Sequence, residues 1–515
     1  MTAEATFDVV VVGGGGSGLA AAIEARALGR DVVLIEKNLA LGGSTAWSIG
    51  SVTASGTPHQ ARKGIEDSPA DHWRDMAGFN GDLDSRDNAD LRRVLADAMP
   101  DTFRWLLKQG VRFYGPMPEP PHSKPRMHNV LPNSRAFITH LEKAARRAGV
   151  AIVCGARASA LVVEHGRVVA IDCATADGPR RLRARGGIVL ATGDFTSDPE
   201  LKAQFMGPQE AKIDGVNVTA TGDGQKLALP LGARIINGDL ALGPELRFVP
   251  PQRRNILLSL PPWRLLANLM AWSLERMPSA LLRPFVMSFV TTALAPSPDL
   301  FAEGAILINK RGERFTDELD RPAYALPDQP DKVAYILLDR RMAELFSGWP
   351  HFISTAPGVA YAYVDDYRRN RADIFSKAAT LDELAGKLAM PAAALAATRH
   401  AHNANANANA GNRPKLGEGP YVALGPVRAV FVHAEGGLAV DHEHRVLGAG
   451  DQPIIGLYAA GSTGQGGLLL KGHGHHLGWA FASGRRAGRN AARASSSPLP
   501  AGGERSTSER SEEVG

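Results

Sequence analysis

Two cysteines, Cys154 and Cys173, are all that 515 residues carry. Both fall in predicted strands and neither has the spacing of a metal ligand, so a disulfide scaffold and thiol chemistry are excluded and a reducing compartment is expected. Aromatic residues make up 6% of the chain, the net charge is only +5, and no basic stripe interleaved with aromatics occurs. Nucleic acid is therefore not an expected partner. Also missing is an uncharged apolar run of the roughly 18 residues that a spanning helix needs. Positions 255–296 come nearest, being rich in Leu, Met, Trp and Phe, but Arg264, Glu275, Arg276, Arg283, Pro278 and Pro284 divide them. Three readings of that stretch compete: core of a second domain, which is favoured, the wall of a channel for a lipophilic substrate, and interfacial contact with a membrane. The chain enters its first predicted strand within about eight residues, too few for a signal peptide. A cytoplasmic location is expected, with peripheral membrane association left open.

What the chain has in quantity is glycine, 55 residues, on a background of 44% hydrophobic and 22% charged residues that suits a soluble globular protein. The length calls for two domains with a cleft between them. Residues 8–37, DVVVVGGGGSGLAAAIEARALGRDVVLIEK, organise the rest. Val9 to Val12 form a β-branched run of the buried, parallel-sheet kind, followed by Gly13, Gly15 and Gly18 in the spacing GxGxxG. Gly13 permits a tight turn, Gly15 lets backbone approach a pyrophosphate, and Gly18 lets the next helix, carrying Ala21, Ala22 and Ala25, pack closely. The N-terminus of that helix offers free N–H groups to phosphate. A second strand, Val32 to Ile35, ends at Glu36, placed to meet a ribose 2′-hydroxyl and to disfavour a 2′-phosphate. Together these features predict a dinucleotide site.

Further on, Leu39 to Pro58 reads as an extended loop rich in Gly, Ser and Thr. Residues 66–115 read as mainly helical, with a helix ended by Gly110, and another helix is predicted over Ala136 to Ala148. Two strands about a His-Gly turn follow, then a strand at Ile188 to Leu190 ending in Ala191, Thr192 and Gly193, where close backbone approach to the cofactor is expected. Residues 375–400 read as helical, His402 to Pro414 as a low-complexity connector, and the tail from Ala494 as disordered. The expected division is 1–240 for the first part of a dinucleotide domain, 241–428 for an inserted domain, 429–493 for the return, and 494–515 for the tail.

With these segments in place the chain resembles the flavoprotein superfamily of fumarate reductase and succinate dehydrogenase, which includes the 3-ketosteroid dehydrogenases. The pieces that match are the glycine loop with Glu36, GGST at 42–45, ATG at 191–193, TGDG at 221–224, GAILINKRGERFTDE at 304–318, HAEGGLAVD at 433–441 and GLYAAGST at 456–463. The resemblance implies an α/β fold: a Rossmann-like FAD-binding domain with an inserted α+β cap domain over the flavin. Carried over by position, Ser17 and Gly18 meet the pyrophosphate and Glu36 the adenosine ribose. Ser44, Thr45 and Gly50 lie on the flavin side, and Asp223, Ser462 and Leu477 at the ribityl chain or ring. Lys37, Gly43, Thr192, Gly193 and Gly461 complete the expected cofactor set. Membrane-bound members carry a histidine where Ser44 stands, so non-covalent FAD is implied.

The implied reaction moves a hydride and a proton across a CH–CH bond next to a carbonyl. Arg321 stands one position short of the acid arginine of fumarate reductases, and His433 occupies their histidine slot. Their last-loop arginine is absent, with Lys471 nearby. Gly474 matches the amide that ketosteroid dehydrogenases offer to a ketone, but their loop tyrosine aligns with Leu470; Tyr324 is the nearest phenol in the cap. The closing loop, KGHGHHLGW, adds His473, His475 and His476, read as lining an active site and not as metal ligands. Arg321, Tyr324, His433, His473 and Gly474 form the expected catalytic set. A lipophilic small molecule, such as a bulky apolar ketone, is the favoured substrate, with an unidentified separate electron acceptor. A small unsaturated acid and a non-enzymatic flavin-binding module are the alternatives.

Overall fold

A computed structural model describes residues 3–251, 260–356, 360–408 and 414–495. Its centre is the strand Ala3–Val12, in which Val9, Val10, Val11 and Val12 are all buried. Parallel neighbours flank it on both sides, Val32–Glu36 on one and the long strand Gly178–Leu190 on the other. The order then continues outward to Ala151–Cys154 at one edge and, beyond Gly178–Leu190, to Pro453–Ala459. A sheet covered on both faces needs apolar side chains at every position, which is why these strands do not alternate. The hairpin Arg157–Glu164 and Arg167–Thr175, turning at His165 and Gly166, joins the same sheet.

Two helices pack on one another over this sheet, Gly16–Ala27 and the closing helix His475–Ala494. Their approach is set by glycine: a Cβ on Gly484 would lie 2.3 Å from the Ser17 carbonyl oxygen, and one on Gly488 2.1 Å from that of Ala21. A second sheet is built round Tyr421–Phe431, antiparallel to Ala334–Leu338, Glu245–Phe248 and Phe375–Ala378 and parallel to the short Asp214–Gly215. It has its own hydrophobic core, separate from the first. A division at 428/429 falls inside the strand Tyr421–Phe431, and Asp214–Gly215, far upstream of 241, already pairs with it. A third, three-stranded sheet orders Ser51–Thr53, Met127–Leu131 and Arg112–Met117.

Several expectations need correction. Leu39 to Pro58 is not one extended loop: it holds the helix Gly43–Trp47 and the strand Ser51–Thr53. Backbone tethers fold it back, the Gly42 N–H donating to the Gly14 carbonyl and the Gly16 N–H to Thr45 Oγ1. The connector expected from His402 is helical as far as Ala408, because its alternating alanines extend the helix Ala392–Ala408; residues 409–413 lie outside the described residues. The apolar stretch splits. The helix Ser279–Ala293 sends Met287 and Val290 into the second core, whereas the helix Arg264–Arg276 buries only Ala267. Among the described residues no helix is long and apolar enough to cross a membrane. The expected disordered tail lies outside the described residues from 496 on.

Candidate active site

Where the first strand, its helix and the second strand meet, a groove with about 790 Å³ of empty space opens. Gly13, Gly15, Ser17, Glu36, Lys37, Gly43, Ser44, Thr45, Thr192, Gly193, Asp223, Gly461 and Ser462 all line it. Gly18 does not; a Cβ there would sit 1.9 Å from the Gly13 carbonyl oxygen, so its role is the close packing of turn and helix. Gly50 is also outside, with φ +86° and Val130 against it, and Leu477 belongs to the first core. Gly14, Gly16, Asn38, Ala156, Ala158, Asn217, Thr219 and Ala480 line the groove without having been expected. Asn217 and Thr219 lie just upstream of TGDG, a signal that extending that motif would have caught.

Glu36 marks one end. Its carboxylate accepts N–H bonds from Gly14 on one oxygen and from the backbone and side chain of Asn38 on the other. A carboxylate has about four acceptor positions, so one remains for a ribose hydroxyl. Lys37 reaches across to Asp223 at 2.8 Å, and Arg157 pairs with the same carboxylate. Asp223 thus lies beside Lys37, next to Glu36 along the groove. Along the middle the helix N-cap, Gly15, has no side-chain cap, which leaves N–H groups facing the groove. A Cβ on Gly15 would meet only the Gly42 oxygen, at 3.9 Å. With the Gly14 and Gly16 amides held by Glu36 and Thr45, the helix start behind Gly15 and the open glycine face suit a pyrophosphate. Toward the other end Ser44 accepts a bond from Asn217, and Thr45 is held by Gly16.

On the closing helix, one turn before the groove-lining Ala480, stands His476. Its ring lies 3.7 Å from that of His433, centroid to centroid. Between them is Glu435, whose Oε1 is 3.4 Å from His433 Nε2 and 3.7 Å from His476 Nε2. The other oxygen, Oε2, accepts from the Gln465 amide and from the Leu470 N–H. Burial would push the Glu435 carboxyl up, but the bonds and charge of the two imidazoles hold it well below the usual 4.5. Burial first, and the neighbouring His433 second, push His476 down against the pull of Glu435. Close by, Asp194 is buried and its carboxyl is raised by desolvation. Among the described residues no arginine or lysine side chain bonds to His433, Glu435 or His476. Glu435 was not an expected site residue. It sits two places after His433 in an extended segment, and alternation places i and i+2 on one face.

The three closing-loop histidines go to three different places. His473 turns out to Glu119, its ring nitrogen and its backbone N–H both meeting Oε1, which raises its pKa. His475 turns inward, Nε2 to Nε2 with His72 at 3.4 Å, while its Nδ1 donates to the Lys471 carbonyl. His122 completes that second cluster and accepts a bond from Arg126 at 3.0 Å. Of the three, His476 alone faces Glu435 and His433. In each cluster the ligating atoms lie within 4.8 Å of one another, but a His122 nitrogen that accepts from Arg126 leaves the proton on the other, which then cannot ligate. Gly474 caps the closing helix at φ +89°, its carbonyl accepting from the Thr53 and Gly478 amides. Arg321 and Tyr324 are together but elsewhere. The Arg321 side chain is 78% exposed and stacks on the Tyr324 ring, and the Tyr324 hydroxyl meets Glu210. Among the described contacts none joins either to His433.

The family model described as FAD binding domain matches residues 8–256 and 274–469. A probable fumarate reductase of Shewanella frigidimarina is 27% identical, with 95% of this chain and 75% of that protein covered. A urocanate reductase of Eggerthella lenta is 28% identical, over 94% of this chain and 74% of its own length. The chain spans less than half, 44%, of an NADH:fumarate oxidoreductase of Klebsiella pneumoniae, which is 24% identical over 89% of this chain. Among solved structures, the open conformation of a flavocytochrome c3 fumarate reductase superposes with a TM-score of 0.68 at 24% identity, covering 96% of this chain and 79% of that one. A 3-ketosteroid-Δ4-(5α)-dehydrogenase from Rhodococcus jostii RHA1 gives 0.57 at 24% identity, over 95% and 97% of the two chains. These likenesses show a shared fold.

Proposed function

Since the chain belongs to the FAD-binding family that this model describes, we propose that it is an oxidoreductase acting on a CH–CH bond beside a carbonyl, with the reacting end of its site at His433, Glu435 and His476. The observation that carries the reading is that triad, one helical turn beyond the groove. Bound FAD, held by the glycine loop, Glu36 and the residues along the groove, supplies the hydride acceptor or donor. The chain itself must deal with the proton on the second carbon and with charge that develops on the carbonyl oxygen. An ionised, buried Glu435 between two imidazoles fixes a negative charge that orients their ring N–H groups. His433 is placed to offer a ring N–H to the carbonyl oxygen or to exchange a proton with carbon. His476, against the His433 ring, completes the wall behind it.

The same triad bears on substrate class. A dicarboxylate needs several cations around it, whereas this end of the site offers Glu435 and Asp194 and, among the described residues, no arginine or lysine bonded to the triad. A neutral ketone needs one or two donors and no charge balance, so a lipophilic enone or its saturated counterpart is the favoured substrate. An unsaturated acid is the second reading, supported by relatives named for fumarate and urocanate, with the imidazole N–H groups of the triad meeting a single carboxylate. Anaerobic spectra of the loaded flavoprotein decide between them. Bleaching by saturated cyclic ketones or steroid ketones, or reoxidation of reduced flavin by enones, supports the first. Reoxidation by fumarate or urocanate alone replaces it with the second, and inertness to all of them leaves a flavin-binding module.

A further inference from the structure

The helix Arg264–Arg276 presents to solvent what most helices bury. Trp263 at its N-cap is 68% exposed, Leu265 83%, Leu269 58% and Trp272 49%. Leu265, Leu269 and Trp272 are spaced four and three apart, so they form one face. The opposite side holds the helix to the three-stranded sheet through the strands Arg112–Met117 and Met127–Leu131. An apolar face of this kind on a folded chain calls for a cover.

The charges around it say what the cover is. Arg264 and Arg276 stand at the two ends of the helix. Arg112 lies close enough to Arg264 for their charges to interact, and its guanidinium bonds the Leu107 and Val111 carbonyls. His140, next to Pro262 and Lys143, feels the same Arg112 charge. Among the described residues Arg112, Lys143, Arg264 and Arg276 have no acidic partner, and the one acid on the helix is Glu275. A complementary protein surface would have to supply carboxylates at each of these positions. A sheet of anionic headgroups over hydrocarbon supplies the charge everywhere and the apolar layer directly beneath it. Tryptophan at the boundary suits the same environment, because its ring is apolar and its N–H seeks water.

We infer that this helix is an interfacial anchor that lays Trp263, Leu265, Leu269 and Trp272 into the surface of an anionic bilayer. The inference stands apart from the proposed reaction, since it uses no residue of the groove or of the triad. The anchor lies along the outer edge of the three-stranded sheet whose opposite edge strand, Ser51–Thr53, touches the closing loop at Gly474.

The test is flotation of the FAD-loaded full chain with phosphatidylcholine vesicles, with and without about one third phosphatidylglycerol. Binding is expected to the anionic vesicles and to weaken with salt, as charge-driven attraction does. The combined variant Leu265→Ser, Leu269→Ser, Trp272→Ser should lose at least tenfold in vesicle affinity, and so should Arg264→Ser with Arg276→Ser. Flavin content and near-ultraviolet circular dichroism confirm that each variant is folded; because the helix buries only Ala267, both should be. Three results overturn the proposal: no flotation of the wild-type chain, flotation that neither variant changes, or a concentration-dependent dimer that the apolar variant disperses while vesicles go unbound.

Discussion

A Cβ at Gly15 would point into the groove, its nearest neighbour the Gly42 oxygen at 3.9 Å, on a backbone with φ −80° that any residue adopts. Gly15→Val should therefore give a folded protein that cannot hold FAD, seen as a near-normal melting temperature with no flavin absorbance. Gly18→Ala should do the reverse kind of damage, because its methyl would fall 1.9 Å from the Gly13 oxygen; overpacking of this sort costs about 1–3 kcal/mol or more. A yellow, fully loaded Gly15→Val protein would remove the pyrophosphate from this loop. Glu435→Gln tests the triad. The carboxyl is held below its usual 4.5, so what it adds to stability is complete above that value and is lost as pH falls through the lower folded value. The amide cannot ionise, so this acid limb should vanish from both the melting curve and the rate profile. Turnover should drop with FAD retained, because the two imidazoles lose the carboxylate that orients them, and by no more than the roughly 10²–10⁴ that a proton-transferring group such as His433 is itself worth. Arg321→Ala and Tyr324→Phe should change turnover little, since neither touches the triad; a large loss in either would show that the cap swings them onto the substrate.

The closing loop shows what an element can and cannot reveal in advance. Its three histidines are close in sequence, but helix geometry at His475 and His476 and a loop at His473 send them to His72, Glu435 and Glu119 respectively. A pattern of letters carries no directions, and directions begin only where a helix or strand fixes the period. The same reason explains the successes. The glycine loop, the valine strand and Glu36 were legible because each is a local demand, on φ, on burial or on distance along one unit. Glu435 was missed because its meaning depends on two histidines from different segments. For the helix Arg264–Arg276 core, channel wall and membrane contact stayed open, with core favoured, because apolar composition says nothing of which face is covered. The His473 contact gives an element its own test. Its pKa is raised, first by the hydrogen bond to Glu119, so its contribution is complete below about 6.5 and is lost as pH rises through the higher folded value. The ring is 46% exposed, and solvent screening keeps the gain small. Hydrogen exchange at residues 471–474 should accordingly be slowest in mild acid and rise above neutrality beyond the intrinsic pH trend. Glu119→Gln should remove that excess; an unchanged profile would show that the contact does not hold the loop.

At the scale of the molecule the groove lies against the first core, and among the described residues none of its lining belongs to the second. One wall is the glycine loop and its sheet. The other includes Asn217, Thr219 and Asp223, which follow the strand Asp214–Gly215 of the second sheet. Asn217 to Ser44 and Asp223 to Lys37 are direct bonds across the groove. A cofactor lying in it touches both sides, so its binding free energy is added to the folded state alone. At a hundred times Kd, that linkage raises stability by about 2.7 kcal/mol. The melting temperature of the apoprotein should therefore climb with added FAD, and Asp223→Ala should weaken that response by removing the carboxylate that holds Lys37 and Arg157. Nothing at position 44 can make the attachment permanent: Ser44 offers a hydroxyl already bonded to the Asn217 amide, where the resemblance would place a histidine in covalently loaded relatives. Denaturation should then free the whole of the FAD. Acid or heat should leave intact FAD in the supernatant in a one-to-one ratio with colourless polypeptide, measured by absorbance and by chromatography of the released flavin. Fluorescence that travels with the denatured chain on a gel would mean that another side chain of the groove has captured the ring, and the assignment of the flavin end to Ser44 and Thr45 would fall with it.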